Sequence, residues 1–302
     1  LQYEMHDADN WIDFESEISK VIETISSVIK EQNINFYETE RNFKNGNTYY
    51  LNPEYYKILN IVKKCKKRNE ENTYLEIRNY LLEDLEKLVR TLEMYLTDYV
   101  EKIEISKISK DIKELDIDHV LSFNYTDTFE KMYGRNNYIE YDYIHGKANI
   151  NSTIESNNMV LGINEYLDDD RKNKDVEFIA FKKYYKRKHK QTGCKYKEWV
   201  DDIRESWEKE SEENVAEIRR CISKNELENE KIHKLYIFGH SLDITDKDIL
   251  CDLILNDNVH TTIFYHNKDV MGQQIANLVK VIGQDKLIKR TGGSTKTIEF
   301  RQ

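Results

Sequence analysis

Three short polar segments each close a compact apolar run: Val120 to Asp127 (Val-Leu-Ser-Phe-Asn-Tyr-Thr-Asp), Tyr143 to Gly146 (Tyr-Ile-His-Gly) and Leu235 to Leu242 (Leu-Tyr-Ile-Phe-Gly-His-Ser-Leu). In open α/β sheets, ligands bind in the crevice beyond the carboxyl ends of parallel strands, so the first polar side chains after such runs are placed to touch them. Asn124, His145 and Ser241 are therefore the first candidates. An imidazole ionises near neutrality, which suits His145 to proton transfer. Ser241 lacks a Gly-x-Ser-x-Gly elbow and reads as a hydrogen-bond donor rather than a hydrolase nucleophile. Each has a plainer structural reading: Asn124 as a strand-ending turn residue, His145 as a satisfied core histidine, and Asp246 as the cap of a helix start.

The elements that must position these residues follow from patterning. The runs are short, β-branched and aromatic with little alternation, as in strands buried on both faces. Val259 to Tyr265 is a fourth such run, and Asp246 to Leu255 reads as helical, so Leu235 to Tyr265 makes a βαβ unit with a parallel pairing. All four runs are expected in one largely parallel sheet whose carboxyl edge collects Asn124, His145 and Ser241. The first 110 residues read as helices: a stripe from Trp11 to Ile29 behind a cap at Asn10, a helix opened by Pro53, and a third from Tyr74 to Ile105. The reading is a helical region over 1–115 packed on an α/β region over 116–302, with a helical insertion at about 174–226.

Composition sets the limits. Charged residues are 34% and apolar ones 39% of 302, but 21 Tyr and 10 Phe supply large buried areas, which argues against disorder. A net charge of −10 argues against a surface that coats nucleic acid. Lys182 to Lys190, interleaved with Tyr184 and Tyr185, could grip a nucleic-acid backbone. On an acidic chain this run reads instead as a solvated helix face, or as a partner of Asp168 to Asp170. Cys65, Cys194, Cys221 and Cys251 form no Cys-x-x-Cys pair, so no zinc knuckle or disulfide framework is implied, and a reducing cytoplasm is expected. No apolar run is long enough to span a membrane.

Five segments in one order carry a family resemblance: Trp11-Ile12-Asp13-Phe14-Glu15, Phe123-Asn124-Tyr125-Thr126, Ile144-His145-Gly146, Phe181-Lys182-Lys183-Tyr184-Tyr185, and Gly239-His240-Ser241-Leu242 with Asp246. The chain resembles the bacteriophage abortive infection AbiH proteins, which in turn look like distant relatives of sirtuin-like Rossmann domains. The resemblance implies a Rossmann-like α/β fold and a role as an anti-phage effector that binds or hydrolyses NAD or a related nucleotide. It implies Asn124 and His145 as catalytic residues, with Thr126, Asp127, Gly146, Gly239, His240, Ser241 and Asp246 contacting the cofactor and no metal. Members of the family usually open with an apolar strand and a Gly-Asn-Gly-Phe-Asp-like turn, a natural pyrophosphate cradle. The sequence here opens at Leu1, without Met, close to the Trp11 helix, as in a fragment; a site lacking that turn would lose its main phosphate cradle. The competing class is a nucleotide-sensing or partner-dependent effector, answering to a phage or host protein or working as an oligomer, or a nuclease acting through the basic run.

Overall fold

A computed structural model describes residues 18–22, 73–104, 107–134, 138–163, 178–206, 232–294 and 296–302. The helix opened by Pro53, most of the Trp11 stripe, Asp168 to Asp170 and the stretch 207–226 of the expected insertion lie outside these residues. The chain divides into two compact units, Leu1–Gly193 and Cys194–Gln302, and the division falls inside the stretch expected as an insertion.

In the first unit, α1 (Thr73–Tyr95) runs into a π-helical turn, Leu96–Val100. Leu81, Leu82, Leu85, Leu88, Val89 and Leu92 recur at three- and four-residue steps. The stripe they make packs on Ile22, Met159, Leu161, Ile163, Phe178 and Phe181. Then come α2 (Lys110–Lys113), β1 (His119–Ser122), α3 (Thr128–Tyr133), β2 (Glu140–Tyr143), a 3-10 turn Ile179–Phe181 and α4 (Lys183–His189). β1 and β2 pair in parallel, with Ser122 opposite Tyr143 at their carboxyl ends.

The second unit holds helix α5 over 196–206. It continues with β3 (His233–Ile237), a 3-10 turn Ile244–Asp246, α6 (Lys247–Ile254), β4 (Val259–Phe264), α7 (Lys268–Ile282), α8 (Gln284–Thr291) and β5 (Ile298–Arg301). The strands lie in the order β3-β4-β5, all parallel. Leu235, Ile237, Ile263, Ile298 and Phe300 point one way and pack on Leu250 and Ile254 of α6, Leu278, Val281 and Ile282 of α7, and Leu287 of α8. Strand side chains alternate, so Phe238, Phe264 and Arg301 belong to the opposite face.

The fold is mixed α/β with small parallel sheets. Three of the four apolar runs are strands, and β3-α6-β4 is the expected βαβ unit; the run at Tyr143–Ile144 only closes β2, whose Glu140-Tyr141-Asp142-Tyr143 is half polar. One expectation fails: among the described residues the strands form two hydrogen-bonded ladders, not one sheet. An apolar run announces a strand but carries no label for its neighbour, which only the hydrogen-bond ladder decides.

Ile263, fully buried on the inner face of β4, should cost about 2–5 kcal/mol of unfolding free energy when cut to Ala. Thr262→Ala, one residue along on the other face, should cost less than about 1 kcal/mol, as urea titration of both variants would read.

Candidate functional site at the strand ends

In the first unit the ladder continues one step past β1 and β2, where the Ile144 N–H donates to the Ser122 carbonyl at 2.9 Å. Asn124 lies two residues past Ser122, and His145 two past Tyr143, so the pair occupies matched positions beyond neighbouring strands. Asn124 is exposed, and its N–H donates to Ser122 Oγ at 3.2 Å. His145 is buried, its ring edge-on to Phe123 at 5.8 Å and tilted to Tyr125 at 6.1 Å. The two aromatic neighbours of Asn124 thus wall the imidazole. Tyr125 is fixed in turn by its hydroxyl, which donates to the Val160 carbonyl at 2.9 Å, while the His145 carbonyl accepts from Val160 N–H at 2.8 Å.

Gly146 is what lets the chain leave β2 here. Its φ is +79°, and a Cβ would stand 2.2 Å from the Asn158 carbonyl oxygen, so neither the backbone angle nor the space admits a side chain.

The same unit holds a polar cleft of about 760 Å³, bounded by Thr97, Asp98, Glu101, Lys102, Asp127 and the loop from Lys147 to Asn158; neither Asn124 nor His145 lines it. Asp127 and Lys147 are its ionic centre. Lys147 Nζ lies 3.0 Å from Asp127 and 3.3 Å from Glu130, and Lys131 Nζ is 2.7 Å from the other Asp127 oxygen. Burial works to raise the Asp127 carboxyl, but hydrogen bonds from Lys131 and Lys147 outweigh it and hold the group below the usual carboxylate value. Burial and the adjacent Glu130 push the Tyr143 phenol up, so it stays protonated and donates to Glu130 at 3.1 Å. The cleft wall is braced from α1: fully buried Glu93 pairs with Arg90 and accepts from Asn149 N–H at 3.0 Å, while Arg90 donates to the Ile150 carbonyl at 3.2 Å. Thr126, also buried, spends its hydroxyl on Thr128 at 2.9 Å.

In the second unit, Gly239 to Leu242 follow β3. Gly239 and Leu242 both take positive φ, +63° and +58°. The His240 Nδ1 accepts from Leu242 N–H at 2.8 Å, which places the ring proton of the neutral imidazole on Nε2, 3.6 Å from Asp246. Both ring nitrogens are thereby occupied in shaping the turn. Ser241 is exposed at its tip.

A protein-family model described as bacteriophage abortive infection AbiH matches residues 1–266. The chain belongs to the AbiH family. No curated protein and no solved structure matches it. The AbiH match spans the polar segments after β1, β2 and β3 and ends just beyond β4, before α7, α8 and β5.

Asp246 and the basic run of this AbiH chain behave differently from their sequence reading. Asp246 stands at the start of α6 without capping it; its carboxylate faces His240 and Thr245, and Asp243 accepts from Thr245 N–H at 3.0 Å. The basic run is not a solvated face: Lys182, Lys183, Lys186 and Arg187 are buried, and Lys186 and Lys190 reach Glu86 of α1 at 2.5 and 2.9 Å. A carboxylate a hundred residues away on the amphipathic helix α1 pulls the cations inward. Burial holds the Lys186 ammonium below its ordinary value, against the adjoining carboxylate. Among the described residues no group of three or more His, Cys, Asp or Glu could hold a metal ion, and no helix is long and apolar enough to cross a membrane.

Sequence reading missed Glu130, Lys131 and Lys147 at the cleft, and Gln274 and Asn277 behind the Ser241 turn. Glu130 and Lys131 carry a usable signal, since Asp127 and Lys131 stand four apart in a helix start.

Two outcomes test this geometry. Gly146→Ala should destabilise far more than Gly239→Ala, where nothing lies within 4 Å of an added Cβ and the cost is confined to about 1–2 kcal/mol of left-handed backbone strain; thermal unfolding would rank them. Asp127, depressed in the fold, contributes stability above its unfolded value of about 3.9, and loses it as pH falls through the lower folded value. In Lys147→Met the Asp127 titration followed by carboxyl NMR should move up, and the acid-side loss of stability should become smaller and be complete at higher pH.

Proposed function

We propose that this AbiH protein is an abortive-infection effector that binds NAD or a related nucleotide and hydrolyses its glycosidic bond, with Asn124 and His145 as the reacting pair. The observation behind the reading is their matched position beyond neighbouring parallel strands, the place where open α/β sheets present ligand contacts. In this reading His145 takes a proton from water as the oxygen bonds to the ribose carbon. The carbon–nitrogen bond breaks, neutral nicotinamide leaves with the bonding pair, and the proton passes from His145 to solvent. Asn124 orients the ribose through its amide. The aromatic rings of Phe123 and Tyr125 hold the buried imidazole in place. The neighbouring cleft, rich in hydroxyl, amide and carboxylate groups, suits a hydroxyl-bearing sugar. A Rossmann-like ancestry is consistent with the parallel strands.

A partner-dependent effector without such hydrolysis is supported by a different observation. Tyr95 at the end of α1, Tyr99 in the π-helical turn and Ile103 just past it are 54, 69 and 68% exposed, and the two tyrosine rings stack at 5.7 Å.

NAD measured in cells expressing the wild type, His145→Ala and Asn124→Ala decides between them. A general base contributes about a hundred- to ten-thousand-fold in rate, so the hydrolysis reading expects NAD loss and growth arrest with the wild type only, at nearly unchanged melting temperature. Growth arrest with NAD intact would sink hydrolysis and favour the partner reading.

A further inference from the structure

The sheet of the second unit puts its apolar core on one face only. Helices α6, α7 and α8 all pack on the side that carries Leu235, Ile237, Ile263, Ile298 and Phe300. Side chains alternate along a strand, so Lys234, Tyr236 and Phe238 on the β3 line, Thr262 and Phe264 of β4, and Glu299 and Arg301 of β5 stand on the other side. Lys234, Glu299 and Arg301 are exposed there, and Tyr236 and Phe238 are half-buried.

The parallel ladder sorts these side chains into transverse rows. Tyr236, Thr262 and Glu299 share one row, and Phe238, Phe264 and Arg301 stand level in the next, one step past the Ile237–Ile263 pair. The Phe238 and Phe264 rings are 4.0 Å apart and within 14° of parallel, and the Arg301 guanidinium lies 5.8 Å over the Phe264 ring. A ring separation close to the strand spacing of about 4.8 Å means that the rings stand upright, with their planes facing across the strands. On the β3 side, at the edge of the β3-β4-β5 order, the pile ends in a Phe238 ring face with no second aromatic contact among the described residues. The backbone beneath is fixed from α7. Buried Gln274 donates to the Phe264 carbonyl at 3.3 Å and to the His240 carbonyl at 3.1 Å, and buried Asn277 donates to the Ser241 carbonyl at 2.9 Å.

Lys234 and Arg301 have no carboxylate within ion-pair distance among the described residues. Glu299 accepts from the Thr262 hydroxyl at 3.1 Å with one oxygen, and its second oxygen accepts from no described residue. On a chain of net charge −10, unneutralised cations beside upright rings suit a polyanion that carries flat groups, with phosphates for the cations and bases for the rings. A carboxylate repels phosphate but accepts a hydroxyl proton, and a ribose 2′-hydroxyl, absent from DNA, offers one.

We propose that this sheet face binds single-stranded RNA: a base continues the stack on Phe238, Lys234 and Arg301 hold backbone phosphates, and Glu299 accepts a ribose 2′-hydroxyl. The proposal does not rest on NAD hydrolysis, since neither Asn124 nor His145 takes part. Glu299 and Arg301 lie beyond the AbiH match. The nucleic-acid grip that the sequence suggested at Lys182 to Lys190, where most of the cations are buried, is offered here instead.

Fluorescence anisotropy of the full chain with a labelled oligouridylate about ten nucleotides long, and with its deoxyribose counterpart, tests it. Wild type should bind the RNA in the micromolar range and the DNA several-fold more weakly. Arg301→Gln should weaken RNA binding about tenfold and lower the salt slope by about 0.7. Phe238→Leu, which keeps apolar volume but removes the stacking plane, should weaken it about fivefold or more. Glu299→Ala should remove the preference for RNA. Arg301 and Glu299 are exposed, so their variants should keep the wild-type melting temperature and test the face even where Phe238→Leu folds poorly. Wild type without binding at about 100 µM, RNA and DNA bound alike by wild type, or Arg301→Gln that binds like wild type overturns the proposal. A dimer in sedimentation that leaves the RNA free overturns it too, and assigns the face to a second copy of the chain.

Discussion

Parallel pairing is the constraint from which the rest of this molecule follows. A parallel ladder delivers the ends of its strands to one edge, so every residue that leaves β1 and β2, or β3, β4 and β5, leaves on the same side within its own unit. Parallel strands also cannot be joined by tight hairpins. Each connection must travel back, and the returning helices α6 and α7 become the supports from which the next loop is held. Gln274 and Asn277 can brace the Ser241 turn only because α7 returns beneath the edge that β3 and β4 share.

What the sequence made legible was local. Three of the four apolar runs read as strands are strands, the long leucine stripe before Tyr95 reads as a helix and is one, and the residues that follow the strands could be named in advance; β2 was hidden because Glu140 and Asp142 make it half polar. Pairing was not legible, because Val120 to Ser122 and Leu235 to Ile237 are equally apolar and nothing in them states a neighbour. Burial of charge was not legible either. Lys182 to Lys190 looks like a solvated face until Glu86, far away in the chain, is known to stand opposite. Gln274 and Asn277 sit among Lys268, Asp269, Gln273 and Lys280, and composition alone cannot tell an amide that holds two carbonyls from one that faces water. The same holds for Asp246, whose place at a helix start signals a cap while its carboxylate answers to His240.

The two turns use left-handed backbone for different ends. At Gly146 the chain passes so close to Asn158 and Met159 that the position is closed to any side chain, and the cleft wall depends on it. At Gly239 the space is open, so the glycine serves the backbone angle alone, and the shape of the turn is shared with the His240 imidazole and the α7 amides. The first arrangement is rigid by exclusion, the second by hydrogen bonding.

The pairing of Glu86 with Lys186 and Lys190 also has a consequence in time. Translation at about 5–20 residues per second would leave about 5–20 s between the making of Glu86 and that of the cations that neutralise its half-buried carboxylate. During that interval the leucine stripe has no finished core to cover it. A helix that is completed only by so late a segment stays open to chaperones and proteases for that interval.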